Sequence, residues 1–289
     1  MWDSSGADEF LSVDNDVSHA KPGQTYLVHQ GSGGYSDRLG WTGGSGDLPT
    51  VATMVETESP DANDANKLTF IGRWVELASH LEHAGGQARL LAAEAGLSVD
   101  LGAALVNAAL WHDVGKAHPC FQQMLLRSGT PPILETVWAK SALQQGHCDR
   151  KGFRHELASA LAWLQLAQAD ITSNIVAYLI AAHHGRVRLS IRSLPSEANP
   201  PEAGRLFARG IWQGDRLPAV WPGGHGDVSE LELDLSFMQM GNGPRGESWL
   251  ARMLHLRDAP DIGPFRLAYL ETLLRVADWR ASELEKQTQ

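Results

Sequence analysis

Apolar positions recur at three- and four-residue steps over most of the chain, beginning near Leu68. Phe70, Trp74, Leu77, Leu81, Ala84 and Ala88 fall on one face of a helix predicted to run from about Leu68 to near Gly96. A second helix is predicted over Leu101 to Asp113, capped by Ser98 or Asp100 and stopped by Gly115. A third covers about His155 to Gln168, and a fourth runs from about Thr172 to His184 with Gly185 as its stop. Pro131-Pro132 and Gly152 punctuate the loops before the third, and a Pro/Gly-rich connection lies between Ser193 and Gly226. Val228, Leu231, Leu233, Leu235 and Phe237 then alternate with polar residues, which is the strongest strand signal in the chain. Ser248 to Glu285 reads as helix with a break near Pro260 to Pro264. The predicted class is mainly α, a helical bundle with a short β element and no internal repeat.

Residues 1–66 depart from this pattern. They carry Gly31-Ser32-Gly33-Gly34 and Gly43-Gly44-Ser45-Gly46, followed by a polar run ending near Asn66. Such density of Gly and small polar residues predicts an irregular N-terminal extension with one short strand at Thr25 to His29, leaving 67–289 as the main domain. The 289-residue chain is 43% hydrophobic and 20% charged, enough to bury a core. Its formal net charge of −10 argues against a free-standing protein that coats nucleic acid through a general positive field, but not against an enzyme meeting DNA locally. Cys120 and Cys148 are too few for a disulfide framework and suit a reducing compartment. The start, Met1-Trp2-Asp3-Ser4-Ser5, has no signal-peptide pattern, and the apolar stretches Leu101 to Trp111 and Ile175 to Ala182 fall short of the roughly 20 residues of a membrane span. The expectation is a cytoplasmic protein with no membrane partner.

The 12 histidines carry the chemistry. Trp111-His112-Asp113-Val114-Gly115-Lys116 places an imidazole and a carboxylate side by side at a helix end, a donor pair suited to Zn, Mn, Fe, Co or Ni. Lys116 follows closely enough to meet an anionic substrate. His183-His184-Gly185 ends another apolar helix, where two imidazoles need either partners or solvent. Phe153-Arg154-His155-Glu156 opens a helix. On the first helix His80 lies roughly 80° from the centre of the apolar face and His83 about 140° from it, so His80 leans inward and His83 is solvated. Asp278, among Leu273, Leu274, Val276 and Ala277, needs a partner or a solvent-facing side.

Taken in order, these clusters resemble the HD superfamily of metal-dependent phosphohydrolases, and more closely the HD nuclease domain of the CRISPR type I signature helicase–nuclease. The matching segments are Ser79-His80-Leu81, His112 to His118 followed by Phe121-Gln122, Phe153-Arg154-His155-Glu156, His183-His184-Gly185 and Ala277-Asp278-Trp279. The resemblance implies an HD-domain helical bundle with a two-metal site. One divalent ion would be held by His80, His112, Asp113 and Asp278, and Asp113 would bridge to a second held by His155, His183 and His184. Asp113 and Lys116 take the catalytic roles, Lys116 matching the lysine beside the scissile phosphate. The metals are Mn, Co, Ni, Fe or Mg, set about 3.5–4 Å apart so as to clamp a phosphodiester.

The implied activity is cleavage of single-stranded DNA in CRISPR type I interference, with a helicase subunit or domain and the CRISPR surveillance complex as partners. No Gly-x-x-x-x-Gly-Lys-Ser/Thr motif occurs, so this chain is not itself the ATP-driven motor. Gly33-Gly34-Tyr35 and Leu39-Gly40-Trp41 resemble the stretch linking helicase to nuclease. Arg186, Arg188 and Arg192 offer flanking phosphate contacts or form a solvated basic loop. The competing expectation is an HD phosphohydrolase acting on a nucleotide or cyclic dinucleotide in a closed pocket. A non-catalytic scaffold is disfavoured because no position of the ligand set is missing.

Overall fold

The computed structural model describes residues 2–3, 11–12, 26–27, 34–36, 40–42, 71–127, 129–143, 148–185, 187–194, 197–222 and 229–287. Within them the architecture is mainly helical, with seven α-helices and small β-pairs. The helices are α1 (Leu77–Glu94), α2 (Val99–Trp111), α3 (Pro119–Leu126), α4 (His155–Leu166), α5 (Ile171–Ala182), α6 (Trp249–Asp258) and α7 (Gly263–Gln287). Helix α1 packs on α2 and α7, α2 crosses to α5, and α4 lies against α5. Every residue of α4 from His155 to Leu164 is buried, including Glu156 and Ser159, as expected of a helix that is apolar on all sides. Caps fall where short polar side chains precede apolar runs. Ser98 accepts from the Leu101 amide at 3.4 Å and Asp170 from the Ser173 amide at 2.7 Å. Gly185, with φ +73°, closes α5 as its position after the apolar run predicts.

Three expectations change. The first helix begins at Leu77, because Val75–Glu76 is a strand paired antiparallel with Trp138–Lys140. Trp74 keeps the helical spacing only by coincidence, packing edge-on against Trp138 with centroids 5.4 Å apart. Phe70 lies outside the described residues. Helix α2 ends at Trp111, and Gly115 sits inside a 3-10 turn over Val114–Ala117 instead of stopping the helix. That turn is fastened by the Lys116 amide on the Asp113 carbonyl at 2.8 Å. The alternating stretch after Val228, itself outside the described residues, pairs only at Leu231–Glu232 with Arg216–Leu217. Leu233, Leu235 and Phe237 are buried as alternation predicts. Asp234, however, accepts from the Ser236 amide at 2.9 Å and caps a 3-10 turn over Leu235–Met238, diverting the backbone from a ladder.

The break in the last block falls between α6 and α7, as predicted. Of the N-terminal strand expected at Thr25 to His29, Tyr26–Leu27 is a strand and the other residues lie outside the described set. No helix among the described residues is long and apolar enough to cross a membrane.

Candidate metal centre

Helices α2 and α5 end with the same local device. His112 caps α2 and donates from Nδ1 to the Ala109 carbonyl at 2.7 Å, and His183 caps α5 and donates from Nδ1 to the Ile180 carbonyl at 2.6 Å. Each bond satisfies a carbonyl that the last helical turn leaves unpaired. Each also fixes the tautomer, so that the Nε2 lone pair points away from the helix into the interior. Asp113, directly after His112, adopts φ −107° and ψ 2°, the bridge conformation that turns the chain and aims its carboxylate inward.

The two oxygens of Asp113 face different histidines. Oδ2 lies 3.2 Å from His80 Nε2 and 3.4 Å from His112 Nε2, whereas Oδ1 lies 3.0 Å from His155 Nε2 and 4.0 Å from His183 Nε2. Asp278, from α7, adds an oxygen 3.3 Å from His80 Nε2 and 3.8 Å from His112 Nε2. His184 Nε2 lies 3.2 Å from His155 Nε2. The donors form one group of His80, His112 and Asp278 and another of Asp113, His155, His183 and His184, with the ligand atoms of each group within 4.8 Å of one another. All seven predicted side chains are therefore brought together, and all are buried except the half-buried His184.

Four buried polar atoms here, His80 Nε2, His112 Nε2, His183 Nε2 and Asp113 Oδ1, make no hydrogen bond among the described residues. An unsatisfied buried group costs roughly 1–3 kcal/mol, so four around one point need a common explanation. Imidazole and carboxylate donors with no thiolate suit first-row divalent ions. The donor set and the orphaned atoms both fit a metal centre.

Burial, and next the neighbouring His112, lowers His183 to about 3, and burial with His183 keeps His184 well below its ordinary value. Both rings are neutral and keep their lone pairs. Burial and the Lys140 ammonium act to lower His80, but Asp113, Asp278 and Glu285 outweigh them and raise it to about 9. Burial pushes Asp113 upward, yet His112 and Lys116 hold it well below the carboxylate range. The Lys116 ammonium lies 2.6 Å from Asp113 Oδ2 and is itself buried.

Of the basic loop, Arg186 lies outside the described residues. Arg188 is engaged by Glu271 at 2.8 Å, and Arg192 is exposed. His83 is 46% exposed, on the solvent side of α1 as its helical angle predicts. Two groups escaped the sequence reading. Glu285 and Lys140 lie behind His80, with Glu285 Oε1 2.9 Å from His80 Nδ1 and Lys140 Nζ 3.5 Å from Glu285 Oε2. The legible signal was Glu285 falling on the buried face of α7, two turns beyond Asp278.

No curated protein and no solved structure gives a significant match to the chain. The family model described as "Cas3, HD domain" matches residues 72–285, a span that contains all seven converging side chains and most of the chain. The chain therefore belongs to the family of Cas3 HD domains, the metal-dependent nuclease domains of CRISPR interference.

Proposed function

We propose that the chain is an endonuclease that hydrolyses phosphodiester bonds of single-stranded DNA, using two divalent ions and working beside the helicase in the cytoplasm. The observation that carries this reading is the convergence of seven donors, six of them buried, in two groups that meet at Asp113. On this reading 67–289 is the nuclease unit and 1–66 an extension. His80, His112 and Asp278 would hold one ion and His155, His183 and His184 the other, with the Asp113 carboxylate lying between the two groups. Bound there, the ions supply Lewis-acid polarisation of the phosphodiester and stabilise charge as its bond breaks.

The chain's own residues do the rest. The bonds from Nδ1 of His112 and His183 to backbone carbonyls orient the rings so that their Nε2 atoms are aimed at the centre. Lys116 keeps Asp113 ionised and adds a positive charge beside the phosphate. The net charge of −10 gives little attraction for long DNA, so a helicase feeding one strand raises the local concentration that the isolated chain lacks.

The test is incubation of the purified chain with circular single-stranded DNA and Mn, Co, Ni, Fe or Mg, one ion at a time. Metal-dependent linearisation of the circle, abolished by chelation and much slower on duplex, is the expected result. Hydrolysis of free nucleotides or cyclic dinucleotides with no attack on the circle overturns it.

A further inference from the structure

Three histidines of the centre have Nδ1 held by a nearby acceptor, but the acceptors differ in kind. His112 and His183 use backbone carbonyls three residues back on their own helices. His80 sits in the second turn of α1, where the carbonyls are committed to the helix, and its Nδ1 instead donates to Glu285 Oε1 at 2.9 Å, across 205 positions of sequence. Glu285 is buried and lies on the Nδ1 side of the ring, away from the Nε2 that faces Asp113 and Asp278, so it stands behind the centre and not in it.

Glu285 is itself braced. Lys140, 1% exposed, comes from the strand that pairs with the lead-in to α1, and its ammonium lies 3.5 Å from Glu285 Oε2. The same ammonium donates to Ser282 Oγ at 2.6 Å, and Ser282 Oγ donates to Asp278 Oδ1 at 3.4 Å. One buried cation thus stands behind both His80 and Asp278. His83 Nδ1 also reaches Glu285 Oε1 at 3.1 Å, from the solvent side.

We propose that Glu285, braced by Lys140, is a positioning residue that orients His80 so that its Nε2 faces Asp113 and Asp278 and that makes this nitrogen a stronger metal donor. The inference rests on the two-metal reading above. A carboxylate behind a ligating imidazole fixes ring and tautomer and raises basicity, and removing such a partner costs about 10–100-fold in metal affinity. Because His155, His183 and His184 do not touch Glu285, the loss falls on one ion only.

The test is calorimetric titration of the full chain with Mn2+. Glu285→Ala is paired with Lys140→Met so that no buried ammonium is orphaned, and Glu285→Gln serves as the near-isosteric variant that keeps an oxygen for Nδ1. The double variant is expected to weaken one of two Mn2+ ions about 10–100-fold and leave the other unchanged, and Glu285→Gln to lose less. Wild-type isotherms in both variants, or equal weakening of both ions, overturn the positioning role. His80→Ala is the control that separates the readings. If it too binds as wild type, the metal assignment fails, whereas if it loses one ion while the Glu285 variants do not, only the role of Glu285 fails.

Discussion

Replacing Gly115 by alanine places a methyl group where the backbone of α4 already runs. A Cβ at this position would lie 2.1 Å from the His155 carbonyl oxygen, 2.8 Å from Ala158 Cβ and 2.8 Å from the Ser159 amide nitrogen. Two of these neighbours are backbone and the third is a bare methyl, so none can swing aside, and the turn and α4 must separate by roughly 1 Å. That motion stretches the 2.7 Å bond from the Gly115 amide to Ser159 Oγ, whose hydroxyl in turn donates to the His155 carbonyl at 3.0 Å. Overpacking costs about 1–3 kcal/mol and the lost bond about 1 more. For a bundle of this size the sum lowers Tm by roughly 5–15 °C. His155 moves with α4 away from Asp113, and a displacement of about 1 Å at a reacting centre costs on the order of 100-fold in rate. Calorimetric Tm of the metal-free chain and Mn2+-dependent cleavage of circular single-stranded DNA measure the two effects. Gly85→Ala is the matched control, since its Cβ meets Leu110 Cδ2 at 2.6 Å, the tip of a side chain that can rotate. A Gly115→Ala protein within a degree of wild type, or a Gly85→Ala protein that loses more, refutes the reasoning.

Asp113→Asn, which keeps the volume but removes the charge between the two groups, is expected to abolish cleavage and bind neither Mn2+ ion tightly while staying folded, and near-normal cutting counts against a shared carboxylate. His80→Ala is expected to lose most activity and His83→Ala almost none, because the 2.9 Å bond from His80 to Glu285 survives the second change, and the reverse ranking in a cleavage assay would show the face of α1 misread. Glu197, which is not among the converging side chains, gives a pH-dependent stability of its own. Burial raises its carboxyl from 4.5 to about 7, even though its Oε1 accepts the Leu194 and Arg209 amides at 2.8 Å each. A folded-state value above the unfolded one means that the folded chain binds the extra proton. Its stabilisation is therefore full below about pH 4.5 and lost as pH rises through 7, amounting to about 3 kcal/mol. Glu197→Gln should remove that slope in denaturant titrations between pH 5 and 8, and an unchanged slope refutes the assignment.

The parts of the molecule that were legible in sequence are those set by neighbours a few positions apart. Ser98 and Gly185 mark helix ends by local chemistry, and the 100° step per residue separates His80 from His83 without any tertiary information. Trp74 misled because the residue just before a strand, packed on Trp138, kept helical phase with Leu77 and Leu81, and periodicity cannot see the partner strand. The alternation through Leu233, Leu235 and Phe237 reported burial correctly, but whether a stretch pairs depends on what runs beside it. Gly115 was read as a stop because only the structure shows α4 pressed against it. Lys140 and Glu285 carry no motif, and their meeting across the bundle is a product of topology.

Because His80 and Glu285 lie 205 positions apart, the two sides of one imidazole are synthesised at very different times. At roughly 5–20 residues per second, about 10–40 s pass between them on the ribosome. For nearly all of that interval the growing chain has histidines but lacks Asp278, and the α1 face that receives α7 is still open. Until the helix bearing Asp278 has been made and has docked on α1, the nascent chain therefore lacks one of the seven side chains that converge at the centre.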